Sequence, residues 1–151
     1  MDAIFYVLKQ NTEQDEAELE THIPAHFNLA AHLAADQFRQ GKRIFIYTND
    51  KNDAHLIDEY LWLFEANSFV PHNLQGEGPV NGAPVEIGDS TPVGNRRILI
   101  NLATKVPDFI NRFNQVFDFV PSDSNLKQAA RERYKYLRQM GVNISTQNIE
   151  T

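Results

Sequence analysis

The sequence contains no cysteine among its 151 residues and only one tryptophan. Without cysteine the chain can form neither a disulfide nor a thiolate metal site, and this composition is compatible with a reducing compartment. No apolar run approaches the roughly 18 residues that a membrane-spanning helix requires. The first residues, MDAIFYVLKQ, lack the basic start and the small-residue cleavage site of a signal peptide. We therefore expect a soluble cytoplasmic protein.

Positive charge is also in short supply. Fourteen Lys and Arg residues face 20 Asp and Glu residues, and the formal net charge of −6 excludes a general electrostatic attraction for nucleic acid. With 42% hydrophobic and 23% charged residues, the composition is that of an ordinary globular chain. We expect one domain over residues 1–141 with a sizeable core, followed by a loose polar tail over residues 142–151.

Short apolar strand patterns alternate with helical patterns along the chain. Strands are predicted over residues 4–8, 43–48, 84–87, 96–102 and 116–120. Helices are predicted over residues 24–40, from 49 or 50 to about 64, and over 122–140, with a short helix starting at Pro107. The acidic segment 11–23 is interpreted as a solvated loop or a frayed helix start. This alternation predicts an α/β fold, with an open, mostly parallel sheet and helices on both faces.

The stretch NLQGEGPVNGAP, residues 73–84, raises the question of a phosphate-binding loop. The dinucleotide fingerprint is G-x-G-x-x-G between the first strand and its helix, where backbone amides meet the pyrophosphate. Here the glycines read G-x-G-x-x-x-G, Pro79 removes an amide donor, and the stretch lies far from the first strand–helix turn. A P-loop G-K-S/T sequence does not occur either. We interpret the stretch as a loop and predict no cofactor.

No catalytic constellation is recognisable in the sequence. A G-x-S-x-G nucleophile elbow is absent. His22 and His26 have the i, i+4 spacing of a zinc-binding helix, but Pro24 lies between them and the acidic partner of an HExxH motif is missing. We therefore predict a protein that is not an enzyme and has no metal site.

The last predicted helix carries five cations and two anions, a charge of +3 in a chain of −6. At about 100° per residue, one arc of about 100° holds its basic side chains and a tyrosine: Lys127, Arg131, Tyr134, Lys135 and Arg138. The adjoining apolar arc should face the sheet: Leu126, Ala130, Leu137 and Met140. A solvated basic face would have the same composition. However, Tyr134 in this arc, with Val120 ending the preceding strand, suits an acidic peptide that carries an aromatic anchor.

The preceding long helix has its tryptophan on the polar side. The residues expected to face the core are Leu56, Ile57, Tyr60, Leu61 and Phe64. Trp62 points about 170° away from the centre of that face. A neighbouring loop that covers the ring would explain this position, but Trp is also enriched in protein–protein hot spots. Phe69 lies close in sequence and would extend such a surface.

Several blocks of the sequence closely resemble the chi subunits of bacterial DNA polymerase III. They are SFVPHNLQGEGPVNGAPVEI (68–87), FDFVP (117–121), LKQAARERYKYLRQMG (126–141), FYVL (5–8), GKR (41–43) and DEYLW (58–62). The resemblance covers nearly the whole chain, and only segments 11–23 and 88–95 depart from the family pattern. It implies a Rossmann-like fold that has lost nucleotide binding, and a non-catalytic accessory subunit of the clamp loader in DNA replication.

The resemblance also implies two protein partners. In this family, chi binds the psi subunit, and thereby the clamp loader, and it holds the acidic C-terminal tail of single-stranded-DNA-binding protein, which ends in Phe. Carried over by motif, Trp62 and Phe69 belong to the psi surface. The tail site is carried over in the same way, to Val120, Lys127, Arg131, Tyr134 and Lys135. Contact with DNA would be indirect, and the sequence leaves open whether a repair helicase competes at the psi surface.

Two other classes of function are weighed against this one. The basic face of the last helix, with Tyr134 as a stacking platform, would suit a direct single-stranded nucleic-acid-binding module. The negative net charge and the lack of several interleaved aromatic residues oppose that alternative. A degenerate nucleotide-binding enzyme is disfavoured by the glycine spacing. The role of residues 73–84 stays open, with a structural turn beside the psi surface as our expectation.

Overall fold

The computed structural model describes residues 1–9, 23–63 and 69–149. The strands are β1 (Asp2–Leu8), β2 (Ile44–Tyr47), β3 (His72–Leu74), β4 (Val85–Gly88), β5 (Ile98–Asn101), β6 (Gln115–Val120) and β7 (Asn143–Ile149). The helices are α1 (Ala25–Arg39), α2 (Lys51–Leu63) and α3 (Ser124–Gln139), and one 3₁₀ turn covers Ile110–Arg112. In these described ranges no helix has the length and apolar character needed to cross a bilayer.

All seven strands belong to one sheet, in the order β3-β4-β2-β5-β6-β1-β7. Every pairing is parallel, so that Ile46 of β2, for example, lies opposite Ile87 of β4 and Ile100 of β5. The predicted α/β fold with an open parallel sheet is therefore confirmed. The strands β3 and β7 form the two open edges of the sheet.

Two apolar clusters cover the two faces of the sheet. On one face, Phe27 of α1 and Ile57 of α2 pack with the sheet residue Ile46. On the other face, Leu137 of α3 packs with Phe5 and the other sheet residues of that cluster. Because the central strands are buried on both faces, their sequences are continuous apolar runs rather than alternating patterns.

Polar caps fix where two of the helices begin. The Asp50 carboxylate accepts a hydrogen bond from the Asp53 backbone N–H at 2.8 Å at the start of α2. The Asp123 carboxylate accepts from the Leu126 backbone N–H at 3.0 Å at the start of α3. Beyond the end of α3, Gly141 adopts a φ of 83°, which an L-residue rarely takes. Asp123 and Gly141 thus mark the two ends of α3, the helix that carries the basic side chains.

The structure corrects three expectations at the local level. The predicted loose tail is wrong for residues 143–149, which form β7 parallel to β1 over its whole length. The stretch 73–84 is not all loop, because β3 extends into it as far as Leu74. The short helix expected at Pro107 is only the 3₁₀ turn. The acidic segment up to residue 22, with His22, lies outside the described residues, as do Phe64 and residues 150–151.

Candidate protein-binding surfaces at the two edges of the sheet

The end of α2 and the segment that leads into β3 carry an exposed aromatic pair. Trp62 is 60% exposed and Phe69 is 65% exposed, and their ring centroids lie 5.6 Å apart. Leu63 beside them is 84% exposed. Within the described chain, Trp62 therefore stays more than half exposed. We call Trp62, Leu63 and Phe69 the aromatic patch, and its exposure agrees with the position deduced from the helical pattern.

The Trp62 ring rests against a buried histidine. The His72 ring of β3 lies edge-on to it, with ring centroids 4.7 Å apart, and its side chain has no solvent exposure. His72 Nε2 lies 3.3 Å from Oδ1 of Asp58, on the same helix as Trp62. Burial raises the pKa of the Asp58 carboxyl, while His72 and His55 nearby act to lower it. His72 was not predicted from the sequence, where only its place inside the block SFVPHNL hinted at a role.

The exposed side of α3 carries the predicted basic residues. Arg131 and Lys135 are exposed, whereas Lys127 and Tyr134 are partly buried. The Lys135 Nζ lies 3.8 Å from a Glu132 carboxylate oxygen, an exposed ion pair one turn apart. We call Lys127, Arg131, Tyr134, Lys135 and Arg138 the basic face.

The structure also brings Val120 and Tyr134 to one apolar cluster. Both pack, partly buried, against the core on the α3 side of the sheet. The Tyr134 ring meets the buried Phe5 ring edge-on, with centroids 5.3 Å apart. The expected apolar arc of α3 is correct for Ala130 and Leu137, but Met140 is 39% exposed and is not part of the core. The basic face therefore borders an apolar surface, as a site for an aromatic anchor requires.

One cation of α3 does not belong to the basic face. Arg133 is only 6% exposed and forms an ion pair with the completely buried Asp118 of β6. Its Nε lies 3.0 Å from both carboxylate oxygens, and its Nη1 and Nη2 donate to the carbonyls of Thr104 and Phe119. Burial raises the pKa of Asp118, and the Arg133 guanidinium acts in the opposite direction. The aspartate inside the apolar strand VFDFV was the signal for such a partner.

The two surfaces lie towards opposite edges of the sheet. The helix α2 packs on the edge strand β3, and α3 packs on β6 and the other edge strand β7. Six interstrand spacings of about 4.8 Å separate β3 from β7, a width of about 29 Å. The two helices also lie on opposite faces, because they belong to different core clusters.

The glycine-rich loop turns its carbonyl groups, rather than its amides, towards a buried arginine. Arg96 donates to the carbonyls of Asn81 and Ala83 at 3.0 and 2.6 Å, and to that of Pro84 at 2.9 Å. It also faces Glu86 at 3.6 Å, and burial lowers the pKa of Arg96 to about 10. A phosphate cradle needs converging N–H donors. This loop has the reverse polarity, which agrees with its interpretation as a structural element.

The carboxyl ends of the strands, where Rossmann-type proteins bind ligands, enclose a cavity of about 190 Å³. His26 and Asn49 line it, together with Asn101 and Arg133. Burial and the charge of Arg133 lower the pKa of His26 to about 4, so this ring is neutral at physiological pH. Among the described residues no cluster of three or more metal-ligating side chains is present.

These features describe an α/β protein with a seven-stranded parallel sheet and two exposed surfaces, one aromatic and one basic. The family model described as DNA polymerase III chi subunit, HolC, matches residues 1–145. The chain therefore belongs to the family of DNA polymerase III chi subunits, accessory subunits of that holoenzyme, and the resemblance noted in the sequence is confirmed.

The chain is similar to DNA polymerase III subunit chi from three bacteria. It is 45% identical to the Escherichia coli protein over 146 residues, which cover 95% of each chain. It is 42% identical to the Haemophilus influenzae protein over 149 residues, 97% of this chain and 96% of that one. It is 34% identical to the Pseudomonas aeruginosa protein over 118 residues, 78% of this chain and 82% of that one.

A solved structure supports the fold alone. The crystal structure of T4 UvsW matches with a TM-score of 0.61 and 12% sequence identity, over 98% of this chain and 41% of that one. The roles of Trp62 and Phe69, and of the basic face with Val120, stay predictions.

Proposed function

We propose that this chain bridges the clamp loader, through the psi subunit, to the acidic C-terminal tail of single-stranded-DNA-binding protein during DNA replication. The observation that supports this most is that the two candidate surfaces lie towards opposite edges of the sheet. Val120 of the tail site is on β6, four interstrand spacings or about 19 Å from β3. Two partners at that separation can be bound at the same time. A single mixed surface would instead favour one partner at a time.

The aromatic patch is the proposed psi surface. Trp is among the residue types enriched at hot spots of protein interfaces, and hot-spot side chains contribute most when they become fully buried. Trp62 and Phe69 are both more than half exposed in the free chain, so a partner can bury much of both rings. The neighbouring Leu63 would add apolar area to the same contact.

Four residues of the basic face form the proposed site for the acidic tail together with Val120, namely Lys127, Arg131, Tyr134 and Lys135. An exposed ion pair contributes only about 0.2–1 kcal/mol, whereas micromolar affinity requires about 8 kcal/mol. Burial of the terminal Phe ring beside Val120 and Tyr134, at about 1.5–3 kcal/mol, must therefore supplement the charges. Arg131 is exposed near the centre of the basic face. Its planar fork suits bidentate hydrogen bonds to the terminal carboxylate.

Calorimetry with an acidic peptide ending in Phe tests the tail site. We expect Arg131→Ala to weaken binding sharply and Arg131→Lys to restore only part of it, because Lys cannot form the bidentate contact. Amidation of the peptide's carboxylate should cost nearly as much, and the two losses should not add in a double-mutant cycle. Arg138→Ala is the matched control, since it removes one charge from the same face at a position outside the proposed site.

Two results would contradict this assignment. One is an unchanged affinity for the amidated peptide, which would mean that Arg131 does not hold the carboxylate. The other is stronger binding of a length-matched single-stranded oligonucleotide with a steep salt dependence, which would favour the direct nucleic-acid-binding alternative. Peptide binding should weaken with salt less steeply, because burial of the Phe ring is not screened.

Replacement of Trp62 tests the psi surface. Trp62→Ala should weaken psi binding by about 2 kcal/mol or more while folding stays nearly intact, because the ring is 60% exposed. Val93→Ala is a suitable control, since Val93 is 59% exposed and lies outside the patch. A loss of several kcal/mol in folding stability, as for a core Trp, would show that Trp62 is structural.

A further inference from the structure

The strand β7 is an open edge that the described chain leaves unprotected. It is the last strand of the sheet and extends over seven residues, whereas the opposite edge strand β3 has only three. Its sequence, NISTQNI, contains neither a charged residue nor proline, and residues 145–148 are exposed. Natural proteins usually block a long edge with Lys, Pro, a bulge or a covering segment, because its free backbone groups can pair with another chain. The strand β7 therefore has the features of an edge that can accept a further strand.

The backbone groups of three β7 residues point to this open edge. The Asn143 N–H donates to the Met1 carbonyl at 3.2 Å, on the side of β1. Consecutive backbone N–H groups of a strand point to alternate sides. The N–H and C=O groups of Ile144, Thr146 and Asn148 are therefore directed away from β1, towards the open edge.

The side chains of the same three residues lie on the face of the sheet that α3 covers. Ile144 packs with the apolar cluster on that face. Thr146 is in register with Phe5 of β1, whose ring contacts Tyr134 of α3. Alternate residues of a strand share a face, so Asn148 also lies there. A strand added beside β7 would present every second side chain to the same face, next to α3.

The flank of α3 on the β7 side carries positive charge. Tyr136 lies on the other flank, where it lines a cavity with the loop after β5, and β5 and β7 are on opposite sides of β1. At about 100° per residue, Lys127 and Arg131 are about 20° and 60° from Tyr134 around the helix, whereas Tyr136 is about 160° away. Lys127 and Arg131 therefore lie on the flank towards β7. The open edge and this flank together form a groove with free main-chain groups and a positive wall.

This groove is continuous with the proposed tail site. Val120, Val7 and Asn148 are in register on the neighbouring strands β6, β1 and β7. Two interstrand spacings, about 10 Å, therefore separate Val120 from Asn148. One extended peptide can reach both the apolar surface beside Val120 and the edge of β7.

We infer that the open edge of β7 binds the acidic stretch that precedes the terminal Phe of the tail, as an eighth strand of the sheet whose carboxylates face Lys127 and Arg131. This inference rests on the proposed tail site and adds how the main chain of the tail is held. Peptides added to a sheet edge are bound by main-chain hydrogen bonds, and alternate side chains give specificity. A second copy of the chain suits the edge less well, because each copy would bring the same cations to the contact.

Hydrogen exchange of the backbone amides, measured by NMR on the full chain, tests the inference. The probe is a synthetic acidic peptide that ends in Phe and is long enough to span β7. With the peptide bound, the amides of Ile144, Thr146 and Asn148 should exchange more slowly by about tenfold or more, because they gain acceptors. The amides of Ser145 and Gln147, which point to β1, are internal controls and should change little.

The affinity of a Thr146→Pro variant tests the same contact. Proline removes one outward donor but no hydrogen bond to β1, a position that edge strands tolerate. We expect peptide binding to weaken by about tenfold. Thr146→Val is the matched control, because it keeps the N–H and removes only the hydroxyl, and it should bind like the original chain. Equal losses in the two variants would show recognition of the side chain and overturn the inference. If Thr146→Pro does not fold, the exchange measurement still decides.

The outcomes separate this inference from the proposed function. Peptide binding that is weakened by Arg131→Ala but leaves the outward amides of β7 unprotected would overturn strand addition and keep the tail site. Absence of peptide binding to the original chain would overturn both. Slow exchange of the same amides without peptide, increasing with protein concentration, would assign the edge to a second copy and would also overturn the inference.

Discussion

The buried ion pair between Asp118 and Arg133 is expected to anchor the helix that carries the basic face. Asp118 has no solvent exposure on β6, and Arg133 of α3 is 6% exposed. Arg133→Met removes the cation but keeps an unbranched apolar stem of similar length. Breaking a buried pair by removing one partner costs about 3–5 kcal/mol, because the other charge is left uncompensated. This is a large part of the 5–15 kcal/mol by which a typical domain is stable.

The geometry places the expected loss near the upper end of that range at neutral pH. Arg133 contacts both oxygens of Asp118 at 3.0 Å through Nε, and its Nη2 lies 2.9 Å from Oδ1. It also satisfies the carbonyls of Thr104 and Phe119, at 3.0 and 2.9 Å. Without Arg133, burial alone would raise the pKa of Asp118 further, so protonation of the carboxyl at acidic pH should recover part of the loss.

Urea denaturation followed by circular dichroism measures this effect. The control is Arg131→Met, an exposed cation two residues earlier on the same helix, which should change stability by about 0.5 kcal/mol or less. The double variant Asp118→Asn/Arg133→Met should lose less than the two single variants together, since neither charge is then left alone. An anchoring role for the ion pair is refuted if Arg133→Met lowers the free energy of unfolding no more than Arg131→Met does. It is also refuted if the losses of Asp118→Asn and Arg133→Met simply add in the double variant.

Two further predictions concern His26 and the glycine-rich loop. The pKa of His26 is lowered to about 4, so the unfolded chain takes up a proton first as pH falls. The free energy of unfolding should therefore decline between about pH 6.5 and about pH 4, by up to about 3 kcal/mol from this group. Denaturation measured at each pH should show a smaller decline in His26→Asn. The control His32→Asn, at an exposed position, should show the same decline as the original chain. Gly82→Ala should destabilise by more than the control Gly76→Ala, because both have φ values near +80° but only at Gly82 would a Cβ collide with Glu86 and Arg96. Equal losses of thermal stability in the two glycine variants would contradict this packing argument.

The central strands and the helices were predictable because each has a strong local pattern. Strand β2 is almost completely buried, and its sequence is a continuous apolar run. Helix α1 ends just before Gly41, whose φ of 79° favours glycine at that position. The edge strands were not predictable in this way. β7, with the sequence NISTQNI, is mostly exposed, so its pairing with β1 depends on backbone hydrogen bonds that leave little apolar pattern.

The candidate surfaces were predictable only where the helical period of about 3.6 residues shows which side chains of a helix face the solvent. That period placed Trp62 and Arg131 on the solvent side of their helices, and both are exposed. It could not show that Arg133 turns inward to Asp118, because the partner lies on a strand 15 residues earlier. His72 was missed for a similar reason: its contacts with Asp58 and Trp62 form only after β3 packs on α2. Long-range partners leave no periodic signal in a sequence.

The last prediction is that the two proposed sites act independently. Coupling between sites requires that each ligand bias a shared structural change. The strands between the two edges are mostly buried and each is hydrogen-bonded to its neighbours. Binding at one edge is therefore not expected to shift the strands that connect it to the other edge.

Electrostatic coupling is weak as well, because a separation of about 19 Å or more exceeds twice the Debye length of about 8 Å at physiological salt. The acidic peptide should therefore bind the free chain and the chain–psi complex with affinities equal within about twofold, and Trp62→Ala should leave peptide binding unchanged. Calorimetric titration of the peptide into both forms measures this directly. A change of about tenfold, or 1.4 kcal/mol, would mean that the sheet transmits a signal between its edges and that the chain does more than hold two partners.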